Sequence, residues 1–223
     1  MRPALLALTC LALAACTRGE PALPEAEPLL PASAEGIDLS HHNGRVDWDR
    51  LDGAALDFIY LKATEGTDWK DPRFQQNWRE ATRRGWLAGA YHFFLLCRGG
   101  EEQAANFIQS VEVRAGTLPP AVDLEYAHNC EAPRGKAAAK ADLAVFLRKL
   151  EAEYGVRPVL YTTPDFHRDW LAGEFADYPV WMRSLSGPPE VEALFWQYSM
   201  KGQVPGIDGP VDLNRSAPFR KDF

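Results

Sequence analysis

The chain has 223 residues, 46% of them hydrophobic and 25% charged, with a formal net charge of −7. That length supports one large domain or two small ones, with apolar residues enough for a sizeable core. The acidic balance disfavours nucleic acid, which needs clustered Lys and Arg to displace counterions; four cysteines exclude a disulfide-dense miniprotein, and 17 prolines and 17 glycines exclude a collagen-like or wholly disordered chain.

Residues 1–16 read MRPALLALTCLALAAC, a positive Arg2 followed by an apolar run from Ala4 to Ala15. A membrane-spanning helix needs about 20 apolar residues, so this shorter run reads as the core of a signal peptide. Leu13-Ala14-Ala15-Cys16 resembles a bacterial lipobox. Residues 1–15 are then the signal peptide, and Cys16 is the lipidated first residue of the mature chain. Such acyl chains anchor a protein stably to a membrane. The expected location is the periplasm, with the outer membrane favoured because Thr17 stands where Asp commonly signals inner-membrane retention in enteric bacteria. Residues 16–35 hold Pro21, Pro24, Pro28 and Pro31 without helical or strand period and read as an extended tether. One folded domain, expected to be monomeric, follows over residues 36–223.

Strands are expected at Gly36–Ser40, Phe58–Ala63, Leu87–Phe94, Ala121–Leu124, Val159–Thr162, Val180–Met182, Leu194–Tyr198 and Val211–Leu213, each a short run rich in Val, Ile, Phe or Tyr. Between the second and third, Asp71-Pro72 opens a helix whose face carries Phe74, Trp78 and Ala81, and Gly85 stops it. A second helix spans about Glu101–Val113, and a third carries Leu143, Phe146, Leu147, Leu150 and Tyr154 before Gly155. Eight strands joined largely by crossover helices specify an α/β fold, a compact, irregular, TIM-like (β/α) barrel. Connections after the fifth strand are short, so helices are expected to be reduced in the C-terminal half. A doubly wound sheet is disfavoured because no GxGxxG follows the first strand.

Cys10 leaves with the signal and Cys16 carries lipid, so Cys97 and Cys130 remain as an even pair in an oxidising compartment, expected to form a disulfide. No CxxC spacing occurs, and no metal or cofactor is expected.

Barrel chemistry sits at the C-terminal ends of strands, where Asp38, Asp123, Glu125 and Asp212 fall. Asp123 and Glu125 share one face by strand alternation, with Leu124 turned outward. Acids crowded into one mouth raise at least one pKa, as a general acid near neutral pH requires. Asp47 and Asp49 are read as capping residues instead. Tyr91, Tyr126, Tyr161, Trp181, Trp196 and Tyr198 lie near strand ends and suit stacking on sugar rings. Phe58, Phe93 and Phe195 are expected to fill the barrel core. His41 and His42 are read as loop residues near the site rather than ligands.

The ordered segments GIDLSHHNG with VDW, Leu61-Lys62-Ala63-Thr64-Glu65-Gly66, GAYHFF, AVDLEY, YGVRPVLYTT, VWMRS, FWQYS and VPGIDGPVDLN resemble glycoside hydrolase family 25, the Chalaropsis-type lysozymes that cleave peptidoglycan. The resemblance covers Gly36 to Asn214. It implies an irregular β/α barrel and hydrolysis of the β-1,4 bond between N-acetylmuramic acid and N-acetylglucosamine in peptidoglycan glycan strands. It also implies that Glu125 is the acid/base, that Asp123 stabilises the reacting sugar or its acetamido group, and that Asp38 and Asp212 complete an acidic floor. Glu65, Tyr91, Tyr161, Trp181 and Gln197, with the neighbouring Trp196, are the implied substrate contacts. Two strand residues rise about 6.6–6.8 Å, between the carboxyl separations of nucleophilic retaining and of inverting glycosidases; retention assisted by the acetamido group is the expected route. Two departures stand out: His42-Asn43 replaces a common Trp-Gln, and Trp181-Met182-Arg183-Ser184 replaces a common WIA segment. A glycan-binding lipoprotein without turnover is the alternative.

Overall fold

Side chains alternate along each strand between an inner and an outer layer, and the two layers make two separate cores. The computed structural model describes Leu30, residues 33–112 and residues 116–217. The expected signal peptide, the lipidation site Cys16 and most of the tether lie outside the described residues.

The strands are β1 (Glu35–Leu39), β2 (Phe58–Glu65), β3 (Trp69–Lys70), β4 (Leu87–Phe93), β5 (Ala121–Leu124), β6 (Val159–Thr162), β7 (Val180–Arg183), β8 (Phe195–Gly202) and β9 (Val211–Ser216). Their order is β1-β9-β8-β7-β6-β5-β4-β2-β3, and a further β1–β2 pairing closes the sheet into an eight-stranded barrel with β3 outside it. Neighbours are parallel except that β9 runs antiparallel to both β8 and β1, and β3 to β2. The reversal at β9 has a local cause. Residues 203–210 are too few for the dozen or more that a parallel crossover needs.

The helices are α1 (Trp48–Leu51), α2 (Phe74–Arg83), α3 (Gly100–Ser110), α4 (Lys136–Tyr154) and α5 (Pro164–Phe166). Asp47 caps α1 as expected, its carboxylate accepting from Arg50 N at 3.3 Å, whereas Asp49 forms an ion pair with Arg84. Asp71 does not cap α2 directly; it builds the preceding turn, accepting from Arg73 N through its carboxylate and from Phe74 N through its carbonyl. Gly155 ends α4 in the left-handed conformation at φ 68°, where a Cβ would be strained. After α5 and the single wide turn at His167–Leu171 no helix is described, in keeping with the expected thinning.

The outer layer packs Ile37, Leu39, Ile59, Leu61, Val122 and Leu124 against α2, α3 and α4. The inner layer fills the barrel with Phe58, Tyr60, Trp181 and Phe195, whose rings meet at centroid distances of 4.8–5.9 Å. Leu30 and Ala34 are buried in that same cluster, and Ser33 N donates to Ser216 O. The expected tether therefore ends earlier than residue 35, because its last apolar residues plug the barrel floor.

Four aromatic side chains fit inside so small a barrel only where facing strands carry no side chain. Gly89 is the cross-strand partner of Tyr60, and a Cβ placed on it would lie 2.2 Å from the Tyr60 ring. Gly89→Ala is expected to destabilise the fold by about 1–3 kcal/mol through overpacking. Urea unfolding checks this, and an unchanged midpoint would mean that Tyr60 moves aside without cost.

Candidate active site

The C-terminal ends of the parallel strands surround a cleft of about 460 Å³, to which the antiparallel β9 brings its N-terminal end, so that Asp212 stands at the start of its strand and not at the expected C-terminal end. Asp38 and Asp212 face each other as cross-strand partners on β1 and β9. Asp123 on β5 is in register with Phe93 on β4 and Tyr161 on β6, and Glu125 follows one turn of alternation later. All four acids line the cleft together with Glu65, Tyr91, Tyr161 and Trp181.

A buried hydrogen-bond network supports this acidic floor. Asp38 Oδ2 accepts from Asn214 Nδ2 at 2.8 Å and Gln197 Nε2 at 3.1 Å. Trp181 Nε1 donates to Asn214 Oδ1 at 2.8 Å, and Tyr161 OH donates to Gln197 Oε1 at 2.9 Å. Each amide is thereby fixed in one orientation, with its N–H₂ aimed at Asp38. Gln197 and Asn214 are 1% and 0% exposed, so Gln197 reaches the cleft through its partners rather than by lining it.

Burial pushes all four carboxyls upward. For Asp38 the charge of Asp212 adds to this, opposed by the two amide hydrogen bonds. For Asp123 the charge of Glu125 adds, opposed by Lys62. Glu125 is raised by burial against the pull of Arg183 and His128, and Asp212 is pushed to about 6 by burial against the pull of Arg183. Burial, with the charges of Asp38, Asp123 and Asp212, pushes the Tyr91 phenol well up, leaving it a neutral donor. Two buried oxygens have no hydrogen-bond partner among the described residues, Asp123 Oδ1 and Glu125 Oε2. Arg183 Nη2 lies 2.9 Å from Glu125 Oε2 as an ion pair.

Glu65 reaches the cleft through an irregularity. The β2–β4 register shifts between Lys62 and Thr64, so Thr64 turns outward to His92, at 2.7 Å from its Nδ1, while Lys62 and Glu65 both face inward and pair at 2.8 Å. Without that bulge Glu65 would point away from the acids. Lys62, absent from the sequence-based candidates, lies 5.0 Å from the Phe93 ring centroid; its inward parity with Phe58 and Tyr60 was a usable signal. His42, a loop residue as expected, lines the cleft, as does His128.

Four aromatic assignments change, Tyr198 among them, since it packs beside Trp196 and its hydroxyl donates to Glu35 outside the cleft. Phe93 lines the cleft instead of filling the core. Trp196 faces away from it, because it alternates with the inward Gln197; its Nε1 donates to Ser184 O at 2.7 Å and its ring packs on Tyr198. Tyr126, 43% exposed, donates to Asp169 outside the cleft.

The loops after β4 and β5 are joined by the expected Cys97–Cys130 disulfide. Between them Asn129 donates to Phe94 O and Glu125 O and accepts from Leu96 N and Cys130 N. This clamp fixes the backbone that carries Glu125. No group of three or more His, Cys, Asp or Glu side chains among the described residues is arranged to hold a metal ion.

Residues 37–207 match the family model described as Glycosyl hydrolases family 25. The chain is 37% identical over 199 residues to the uncharacterized protein YegX of Escherichia coli K12, covering 83% of this chain and 71% of that protein. It is 32% identical over 207 residues to Lysozyme M1 of Streptomyces globisporus, covering 84% and 69%. The structure of a family 25 glycosyl hydrolase from Bacillus anthracis superposes with a TM-score of 0.77 at 29% identity, covering 89% of this chain and 94% of that one.

The crowded acids imply a stability cost with a definite sign. Asp212 titrates near 6 in the fold and near 3.9 in an unfolded chain, so the unfolded chain releases its proton first. Stability from this group is complete below about pH 4 and is lost as pH rises through 6. Asp212→Asn is expected to be more stable than the parent at pH 7 by about 1–2 kcal/mol, after allowing for partial solvent screening. Denaturant unfolding at pH 7 and pH 4 checks this, and the difference should close at the lower pH.

Proposed function

This chain belongs to glycosyl hydrolases family 25, and on that premise we propose a lysozyme mechanism in which Glu125 is the acid/base and Asp123 assists. The protein is a peptidoglycan hydrolase. The bond cleaved is the β-1,4 linkage between N-acetylmuramic acid and N-acetylglucosamine.

The observation that carries the assignment is the convergence of two buried acids in one cleft, Asp123 with an Oδ1 that has no hydrogen-bond partner among the described residues and Glu125 with an Oε2 met by Arg183 alone. Leaving buried acceptors unsatisfied costs free energy unless a ligand completes them. Glu125, raised by burial, is suited to hold a proton and give it to the glycosidic oxygen. Asp123 is suited to accept from the acetamido N–H, aiming the acetamido oxygen at the anomeric carbon. Attack by that oxygen displaces the protonated leaving sugar; water, deprotonated by Glu125, then opens the cyclic intermediate, with net retention. Asp38 and Asp212 hold the floor beneath the sugar, and Tyr91, Tyr161, Trp181 and Glu65 contact it. Gln197 acts from below by holding Asp38 and Tyr161.

Peptidoglycan lies outside the cytoplasmic membrane, and the N-terminal sequence fits that location. Residues 1–15 serve as export signal, Cys16 carries lipid, and the Pro-rich segment tethers the barrel to a membrane facing the wall. Among the described residues no helix is long and apolar enough to cross a membrane. The complete acid set disfavours a purely glycan-binding role.

Glu125→Gln is expected to lower wall hydrolysis by about 10²–10⁴-fold, the usual contribution of a positioned acid/base, with the melting transition retained. Release of muramic acid reducing ends from purified sacculi is the readout, and parent-like activity in this variant would refute the assignment. Proton NMR should show the β-anomer forming first; early α-anomer would establish inversion.

A further inference from the structure

Arg183 is the one guanidinium among the described residues that lines the cleft. It ends β7 in register with the inward Gln197, and its side chain is 22% exposed. Around it stand Glu125 at 2.9 Å, the Tyr161 hydroxyl and the carboxylates of Asp123 and Asp212. A cation there is at odds with cutting a neutral sugar chain. It favours the ionised form of the acid that must deliver a proton, against which it lies at 2.9 Å. A guanidinium has five N–H donors in a planar fork suited to carboxylates, and the contacts around Arg183 use few of them. The other long cation of the cleft is committed, since Lys62 pairs with Glu65 and lies against Trp69 and Phe93.

The wall polymer supplies a matching group on one of its two sugars only. N-acetylglucosamine has no carboxylate, whereas the muramyl unit has its lactyl carboxylate when free of peptide and stem-peptide carboxylates when substituted. We propose that Arg183 is a specificity-determining residue that binds a carboxylate of the muramyl unit, exchanging its contact with Glu125 for the substrate as the strand enters. This assignment rests on the lysozyme reading above. It explains how Glu125 is released from its cation only when the strand carries the right sugar, which couples recognition to acid catalysis.

The test crosses enzyme and substrate. Peptide-free and peptide-bearing glycan strands are each prepared with carboxyls free and with carboxyls blocked as methylamides. The parent, Arg183→Gln and Arg183→Lys are assayed for kcat and KM on all four. Blocking should lower the parent's kcat/KM about tenfold or more on at least one strand type, in kcat as well as KM because Glu125 then keeps its cation, and should leave Arg183→Gln unaffected. Arg183→Lys, which keeps the charge without the fork, should retain part of the response and covers the case in which the Gln variant fails to fold. A response confined to peptide-free strands identifies the lactyl carboxylate, and one confined to peptide-bearing strands the stem peptide. Equal responses of parent and variants to blocking would overturn the proposal and leave Arg183 as a partner of Glu125 alone. A parent that cleaves neither unblocked strand would overturn the lysozyme reading instead.

Discussion

A carboxylate at the mouth of a barrel must be given hydrogen bonds, and Asp38 takes both of its amide donors from the two strands that close the barrel. Gln197 lies on β8 and Asn214 on β9. Asp38 thus belongs to the acidic floor of the cleft and is also the point at which the first and last strands meet through side chains. The same amides accept from Tyr161 and Trp181, so the acid is tied to β6 and β7 as well. Closure, the orientation of the cleft aromatics and the position of the first acid are one arrangement. A half-satisfied network of this kind would be worse than an apolar core; this one satisfies both amides and leaves the unpaired oxygen on Asp123, inside the cleft.

Electrostatics in the cleft follow from that placement. Four acids share a mouth too small to solvate them, and burial raises each. Two cations moderate the repulsion from opposite sides, Lys62 towards Asp123 and Arg183 towards Glu125 and Asp212. The cost in stability at neutral pH is the usual companion of a functional site. Its rigidity comes from outside the acids, from the disulfide and the Asn129 clamp over the strand ends and from the aromatic packing below.

Much of this was legible along the chain. Strand alternation located the inward acids, because period-two geometry holds wherever one face is buried. The left-handed cap at Gly155 and the crossover helices follow from local chemistry that neighbours do not override. Phe93 and Trp196 left their expected places, one for the cleft and the other for the outer face, because a strand's inward parity is set by its partners' register, and aromatic character alone does not report it. Glu65 could be placed only by resemblance, since strict alternation from Lys62 would have sent it outward.

The sequence by itself determined the inner and outer faces of the central strands and the acid-rich strand ends, which depend on spacing along one segment, and the pairing of the two domain cysteines, which follows from their being the two left over. Tertiary structure decided what depends on separate segments meeting. The β2 bulge turned Glu65 inward, and the barrel floor drew in Leu30 and Ala34 from the expected tether. Arg183 came against Glu125 in the same way, from strands 58 residues apart in sequence. Contact between groups so far apart is set by how the barrel closes, and no local pattern encodes it.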